Sequence, residues 1–137
     1  MKKDAKKMVH TPGSRKKAIA RATLSPGTGM VRINRVKLDH YGSHMCRQRI
    51  MEPLILAGDT AKEVNIAVSV HGGGNTTQAD AIRLAIARAL NEHTKDKLKT
   101  AFLEYDRTLL VADVRRKEKR KPNCAGSARS KTQKSYR

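Results

Sequence analysis

The chain has 137 residues, enough for one domain with a modest core, and its thirty Lys and Arg against twelve Asp and Glu give a formal net charge of +18. Aromatic residues make up only 3%, with no Trp and a single Phe. This scarcity argues against modules that recognise RNA by stacking bases on an exposed aromatic sheet.

The positive charge is concentrated at the two ends. Residues 1–21 carry eight Lys or Arg and one acid, residues 115–137 carry ten and one, and the stretch between them has a net charge of only +2. Two basic arms on a nearly neutral body are the electrostatic footprint of a protein that binds a polyanion. We therefore predict a basic N-terminal arm (1–13), a globular α/β domain (14–113) and an extended basic C-terminal tail (114–137).

The first half of the globular region predicts strands followed by a helix. A strand is predicted from about Arg15 to Leu24, and a turn rich in Gly, Pro and Ser follows. Apolar and basic residues then alternate over residues 31–38 around Asn34-Arg35, which is typical of a short meander. Residues 43–57 have a helical pattern that Pro53 is expected to kink or interrupt, and Gly58 is a suitable C-terminal cap.

The second half predicts a strand, two helices and a last edge strand. Residues 64–70 alternate strictly, so they form the clearest strand. A helix of roughly fifteen residues follows, and its apolar stripe comprises Ala79, Ile82, Ile86, Ala89 and Leu90. A second helix, capped by Thr94, would bury Leu98, Ala101, Phe102 and Tyr105, and Leu109–Val111 would form the edge strand. This order predicts a sandwich of one sheet with helices on one face.

The tail cannot bury itself, because residues 115–137 contain no Leu, Ile, Val, Phe or Met. Fully extended, it could span up to about 75 Å. No apolar run follows the basic N-terminal residues, and the longest apolar stretch, Leu54–Ala57, is far too short for a bilayer. We expect a soluble intracellular protein with no membrane partner, and the spacing of Cys46 and Cys124 favours free thiols.

Three other patterns point only weakly to chemistry. Gly72-Gly73-Gly74 lies between a strand and a helix but lacks the Lys of a phosphate-binding loop. The favoured role of these glycines is structural, to allow positive φ angles and close packing. A contact with the RNA backbone is the next alternative, and a nucleotide site is the least favoured. His40, His44 and Cys46 are close in sequence but do not make the four-ligand set of a structural zinc site. The acids Glu52, Asp59, Glu63 and Asp80 are scattered and are expected to be solvated or paired with Arg. We therefore predict no enzyme activity, no metal and no cofactor.

Four segments resemble the ribosomal protein S9 family of the small subunit, in its archaeal and eukaryotic form. They are GSRKKAIARA at residues 13–22, GGGNTTQADAIRLAIARAL at 72–90, YDRTLLVAD at 105–113 and QKSYR at 133–137. The resemblance covers nearly the whole chain from about Val9. It implies a two-layer sandwich of one mostly antiparallel sheet, with a left-handed β-α-β crossover that general handedness statistics would not predict.

The same resemblance implies a structural role in the head of the small ribosomal subunit, in the cytoplasm, with neighbouring ribosomal proteins and no homo-oligomer. The tail would reach the anticodon stem-loop of the peptidyl-site tRNA, which Arg137 would contact with support from Tyr136 and Lys134. The residues implied to bind rRNA are Arg15, Lys16, Lys17, Arg21, Arg115, Arg116, Lys117, Lys119, Arg120, Lys121, Arg129 and Lys131. The alternative is a non-ribosomal, basic architectural protein that binds nucleic acid, which would share the charge without needing a particular last Arg.

Overall fold

The computed structural model describes residues 8–131, 133 and 136. Within them a five-stranded sheet has the order β1-β2-β5-β3-β4, and all neighbouring strands are antiparallel except β3 and β5. The strands are β1 Val9–Arg15, β2 Ala18–Pro26, β3 Val31–Ile33, β4 Val36–Lys37 and β5 Val64–His71. The helices are α1 His44–Ala57, α2 Asp59–Lys62, α3 Asn75–His93 and α4 Lys99–Tyr105, with single 3-10 turns at Leu38–His40 and Arg107–Leu109.

The sheet has one buried face and one open face. In β5, Val64, Ile66, Val68 and Val70 are buried, while the alternate positions are exposed or half-buried. The buried face packs against α3, which in turn contacts α1, so the helices lie on one side of the sheet. The predicted two-layer arrangement, with a mostly antiparallel sheet, is confirmed.

Helix α3 is the centre of the core. The five residues predicted for its buried stripe are all fully buried, and four further residues around the helix are also buried: Ala81, Leu84, Ala85 and Ala87. The many alanines let the backbone of the helix approach the sheet closely. At the tightest point, a Cβ built on Gly13 of β1 would lie 2.3 Å from the carbonyl oxygen of Ala81.

The prediction of one strand from Arg15 to Leu24 was wrong. The chain forms a hairpin in which β1 starts at Val9 and pairs with β2 through the turn at Lys16 and Lys17. Pro12 and Gly13 are residue types common in turns, but β1 is an edge strand, where the missing backbone N–H of Pro12 is tolerated. The actual turn contains neither Gly nor Pro, although Lys16 has a φ of +53°.

Helix α1 runs without interruption through Pro53, so the predicted alternative of an interruption there was wrong, and a kink stays a prediction. The ring removes one backbone hydrogen bond, but Pro53 is itself buried, and packing of α1 against α3 outweighs the loss. The predicted cap at Gly58 is confirmed: its φ is +55° and its N–H donates to the carbonyl oxygens of Leu54 and Ile55, both at 3.2 Å.

Two predictions near the end of the globular region were also wrong. Thr94 ends α3 instead of beginning α4, because its hydroxyl donates to the carbonyl oxygen of Leu90 at 3.0 Å. Leu109 is buried, but it belongs to a 3-10 turn that follows α4 and joins no strand of the described sheet. Of the stripe predicted for α4, Phe102 is fully buried, whereas Tyr105 is 56% exposed.

Beyond Asp113 the described residues contain no helix or strand, and none from 114 to 131 is buried. The one parallel pair of the described sheet, β3 and β5, is connected through β4, α1 and α2. The left-handed sense of this connection stays a prediction. No helix in the described part of the chain has both the length and the apolar character needed to span a bilayer.

Candidate nucleic-acid interface

A strongly basic groove of about 790 Å³ lies between the globular body and the start of the tail. Two body elements meet there: the β1–β2 turn and the glycine loop before α3. The tail forms the remaining wall over residues 116–120. Six of the lining residues are basic and one is acidic; the basic ones are Lys16, Lys17, Arg116, Lys117, Lys119 and Arg120.

The glycine loop brings the two body elements together. Gly72 and Gly73 have φ angles of +76° and +68°, which side chains other than glycine rarely adopt. A Cβ on Gly72 would lie 2.5 Å from the carbonyl oxygen of Lys17, so the loop packs directly on the β1–β2 turn. The preferred interpretation of these glycines, positive φ and close packing, is therefore confirmed for Gly72 and Gly73.

The N-terminus of α3 is satisfied mainly by its own chain. The hydroxyl of Thr77 accepts a hydrogen bond from the Gly74 N–H at 2.8 Å and donates to the Gly74 carbonyl oxygen at 2.7 Å. Gln78 donates through its Nε2 to the carbonyl oxygen of Gly72 at 3.1 Å. The loop is thus held rigidly from the helix side, and its contribution to the groove is shape more than free hydrogen-bond donors.

An ion-pair latch at Asp113 fixes the point where the tail leaves the body. The carboxylate of Asp113 lies 2.9 Å from Nη1 of Arg15 and 2.7 Å from Nη2 of Arg115. Its Oδ1 also accepts a hydrogen bond from the backbone N–H of Arg115 at 2.9 Å. These hydrogen bonds from Arg115, with the charge of Arg15 adding to them, hold the pKa of Asp113 far below its usual range.

Further ion pairs connect the helices beside this latch. Arg83 of α3 pairs with Glu52 at 2.5 Å and with Asp106 at 3.0 Å. Asp80 of α3 pairs with Arg49 at 2.6 Å. The expectation that Glu52 and Asp80 are local partners of Arg is confirmed. These carboxylates are held by cations and show no arrangement for acid–base chemistry.

The pKa of Asp106 is lowered by the same network. Partial burial opposes the shift, but hydrogen bonds from the backbone and hydroxyl of Thr108 and from Arg83 outweigh it. The N–H of Thr108 lies 2.8 Å from Oδ1, and the hydroxyl 2.7 Å from Oδ2. Asp106 therefore remains ionised and fixes the turn after α4 to α3.

The residues implied to bind rRNA fall into three groups. The first group lines the groove and comprises Lys16, Lys17, Arg116, Lys117, Lys119 and Arg120. Arg15, Arg115 and Arg129 are engaged in ion pairs, the last with Glu118 at 2.6 Å. The others are exposed: Arg21 on the open face of the sheet, and Lys121 and Lys131 on the tail.

Of the three residues implied to contact tRNA, Tyr136 is 88% exposed. Lys134 and Arg137 lie outside the described residues.

The weak chemical patterns of the sequence gain no support. Among the described residues there is no group of three or more His, Cys, Asp or Glu placed to hold a metal ion. Cys46 is buried in α1 and Cys124 is half-buried in the tail, and both are free thiols. Asp59 is a solvated partner of Lys62, with 2.7 Å between the carboxylate and the ammonium.

Comparison with known proteins identifies the family of this basic protein. The sequence model of the family described as "Ribosomal protein S9/S16" matches residues 13–137. The chain is 50% identical over 132 residues to small ribosomal subunit protein uS9 of Methanothrix thermoacetophila, covering 96% of this chain and 99% of the relative. It is 51% identical over 128 residues to uS9 of Thermoplasma acidophilum, covering 93% and 98%, and 47% identical over 133 residues to uS9 of Methanococcus maripaludis strain C5, covering 96% and 99%. The chain belongs to the ribosomal protein S9/S16 family.

Proposed function

We propose that this protein is a structural constituent of the small ribosomal subunit of the cytoplasm, where it binds rRNA in the subunit head. In this proposal the basic groove and the tail provide the rRNA contacts. The last residues, Lys134, Tyr136 and Arg137, reach the anticodon stem-loop of the peptidyl-site tRNA. Neighbouring proteins of the head complete its surroundings, and the protein acts as a single copy.

The observation that carries this proposal is the basic groove between body and tail. None of its six Lys and Arg forms an ion pair with a carboxylate among the described residues, although other arginines nearby do. Concentrating six like charges around one groove is unfavourable unless an anion compensates them. An RNA strand supplies a regular row of phosphates, and Arg and Lys are the usual residues that bind them.

The role of the tail is supported by its composition and its anchoring. The latch at Asp113 fixes its origin, and the described residues beyond it are exposed or half-buried and form no helix or strand. Such a segment places no buried side chain in the core, and RNA phosphates would compensate its charge and order it. Its length, up to about 75 Å when extended, is sufficient to reach a site remote from the globular domain.

A catalytic role has no support from the site, and members of a ribosomal protein family are structural proteins. The alternative of a non-ribosomal architectural protein shares the charge, but the family match over residues 13–137 favours the ribosome. Sedimentation of a cell extract in a sucrose gradient tests this directly. We expect the protein to migrate with the small subunit at low magnesium; migration at the top of the gradient would refute the ribosomal proposal.

The role of the last residues is tested by deleting Ser135–Arg137. We expect the truncated protein to fold and to enter small subunits as wild type does. Peptidyl-site tRNA should dissociate about tenfold faster, because one charge-assisted contact to phosphate is lost. Lys131→Ala, which also removes a tail charge, is the matched control and should leave tRNA retention nearly unchanged. Equal retention by the truncated and wild-type proteins would contradict the tRNA contact.

A further inference from the structure

The charged residues of this protein are sorted between the two faces of its sheet. The five strands contain no Asp or Glu, and they contain no Phe, Tyr or Trp. Their open face carries Arg21, Arg32 and Lys37, together with His10 and His71. The acids of the body lie on helices, turns and loops.

The strand register aligns most of these residues in one row across the sheet. From β1 to β4 in the order of the sheet, the row consists of His10, Thr23, Ala67, Arg32 and Lys37, each directly opposite the next. Five strands spaced about 4.8 Å apart make this row roughly 19 Å long. Its centre consists of small side chains, so a ligand can lie flat against the sheet.

A second row lies beside the first, two residues along the strands. In it Arg21 of β2 is directly opposite Ser69 of β5, and Pro12 of β1 lies on the other side of Arg21. Ser69 and Pro12 are exposed and short. The guanidinium of Arg21 therefore projects from a flat surface with little side-chain bulk around it.

The cations of the open face differ from those of the helical layer in their partners. On the helical side, Arg49 and Arg83 each lie within 3 Å of a carboxylate. On the open side, Arg21, Arg32 and Lys37 have no carboxylate partner within the described part of the chain. The Nε of Arg32 donates a hydrogen bond to the sulfur of Met30 at 3.1 Å. The open face thus presents uncompensated charge, whereas the helical face does not.

We propose that this open face is a second RNA-binding surface, separate from the groove and the tail, and that it seats the sugar–phosphate backbone of double-helical RNA. The inference rests on the proposed function, since it assumes that the protein works within folded RNA. Single-stranded RNA is usually held by stacking on aromatic side chains, and the face has none. A flat surface lined by cations and hydroxyls fits the wide, shallow minor groove of an A-form helix, with its phosphates and 2′-hydroxyls.

A protein partner fits this face less well. Cores of protein interfaces are depleted in charged residues and enriched in aromatic residues and Met. Ile19, which is 41% exposed, is the only large aliphatic side chain on the described open face of β1, β2 and β5, and Met30, which is 37% exposed, lies beside Arg32 just before β3. Association with another protein is therefore an outcome that the experiment must be able to reveal.

The test compares two triple variants of the full chain, each of which loses three positive charges. Arg21→Gln, Arg32→Gln and Lys37→Gln remove the cations of the open face. Lys97→Gln, Lys99→Gln and Arg107→Gln form the matched control, because these residues are exposed around α4 on the helical side. The probes are an RNA duplex of about 20 base pairs and a single strand of the same length, chosen to exceed the row of about 19 Å.

We expect the open-face variant to bind the duplex about tenfold more weakly at constant salt, while the control changes by about twofold or less. The slope of log K against log salt should fall by about two to three for the open-face variant, roughly one for each lost phosphate contact. Equal losses in both variants, or a loss confined to the single strand, would refute the inference. So would unchanged duplex binding together with the loss of a protein neighbour from the assembled subunit.

Two further measurements separate folding and the proposed function from this inference. Bound duplex should slow the acetylation of Lys37 in the wild-type protein but not that of Lys97. This experiment does not depend on the folding of any variant. If duplex slowed acetylation equally at both lysines, the result would count against the surface. The charge-preserving variant with Arg21→Lys, Arg32→Lys and Lys37→Arg should keep most of the duplex affinity. If wild type is absent from small subunits, the proposed function fails; if only the open-face results are negative, the inference alone fails.

Discussion

Replacing Gly13 with Ala tests the close contact between β1 and α3 that positions the basic groove. A Cβ at this position would lie 2.3 Å from the carbonyl oxygen of Ala81, 2.7 Å from the backbone nitrogen of Ala85 and 3.0 Å from its Cβ. Two of these three neighbours are backbone atoms of a helix, which cannot move aside as a side chain can. To reach an ordinary contact of about 3.4 Å, the strand and the helix must separate by about 1 Å.

The expected loss of stability follows from overpacking. An added methyl in a well-packed core destabilises by about 1–3 kcal/mol, and a backbone clash belongs at the upper end of that range. Reduced freedom of the unfolded chain returns about 0.4–1 kcal/mol on a Gly-to-Ala change. The net loss is about 2 kcal/mol, which for a body of about 100 residues lowers Tm by roughly 8–16 °C.

Thermal unfolding of the free protein, followed by far-ultraviolet circular dichroism, measures this change. Gly74→Ala is the matched control, because a Cβ there meets no atom within 4 Å and the φ of −118° suits any residue. The control should lower stability by less than about 1 kcal/mol. If Gly13→Ala unfolds at the same temperature as wild type or as the control, the close packing of β1 on α3 does not limit stability and the reasoning fails.

Three other changes test the core, the groove and the ion pairs. Phe102→Ala, at a fully buried position, should destabilise by about 3–5 kcal/mol in urea unfolding, whereas Leu103→Ala, at a position 41% exposed, should cost below about 1 kcal/mol; similar losses would contradict the packing of α4. Gly72→Ala, which places a Cβ 2.5 Å from the carbonyl oxygen of Lys17, should distort the groove and weaken rRNA binding in a filter assay, and an unchanged affinity would count against the groove. The pKa of Asp106 is lower in the folded protein than the 3.8 of an unperturbed Asp, so the ionised carboxylate stabilises the fold. This contribution to the free energy of unfolding is present above pH 3.8 and is lost as the pH falls towards the pKa of the folded protein. The Asp106→Asn variant should therefore show a flatter stability curve below pH 4 than wild type, and parallel curves would contradict the ion pairing.

Elements with one strong periodic pattern could be predicted from the sequence. Strand β5 alternates without exception, and the stripe of α3 repeats at helical spacing, so the burial of both follows from pattern alone. The hairpin of β3 and β4 was predictable from Asn34-Arg35, which adopt positive φ angles of 47° and 72° in the turn.

The errors arose where tertiary packing overrides a local signal. Pro12 and Gly13 are turn-forming residues, yet both lie within β1. The edge position of the strand tolerates Pro12, and the close contact with α3 requires Gly13. Pro53 continues α1 because both of its neighbours along the helix and the core behind it hold the conformation. No local pattern reveals a contact that another part of the chain imposes.

The site was partly predictable for a similar reason. Charge counts locate the basic ends, and Lys16 and Lys17 do line the groove with the tail. The engagement of Arg15 with Asp113 could not be foreseen, since the two residues are 98 positions apart and meet only through the fold. Alternation in β3 and β4 already placed Arg32 and Lys37 opposite the apolar side, but the importance of that face emerges only when the strand order is known.

The absence of any buried residue among the described residues from 114 to 131 has a consequence for the cell. A chain that loses its last residues through a premature stop codon or proteolysis would keep an intact core, so chaperones and proteases that recognise unfolded protein would have nothing to detect. The defective copy would pass into particles as readily as the complete one. If the last residues contact tRNA as proposed, the damage would become visible only during protein synthesis and not during folding.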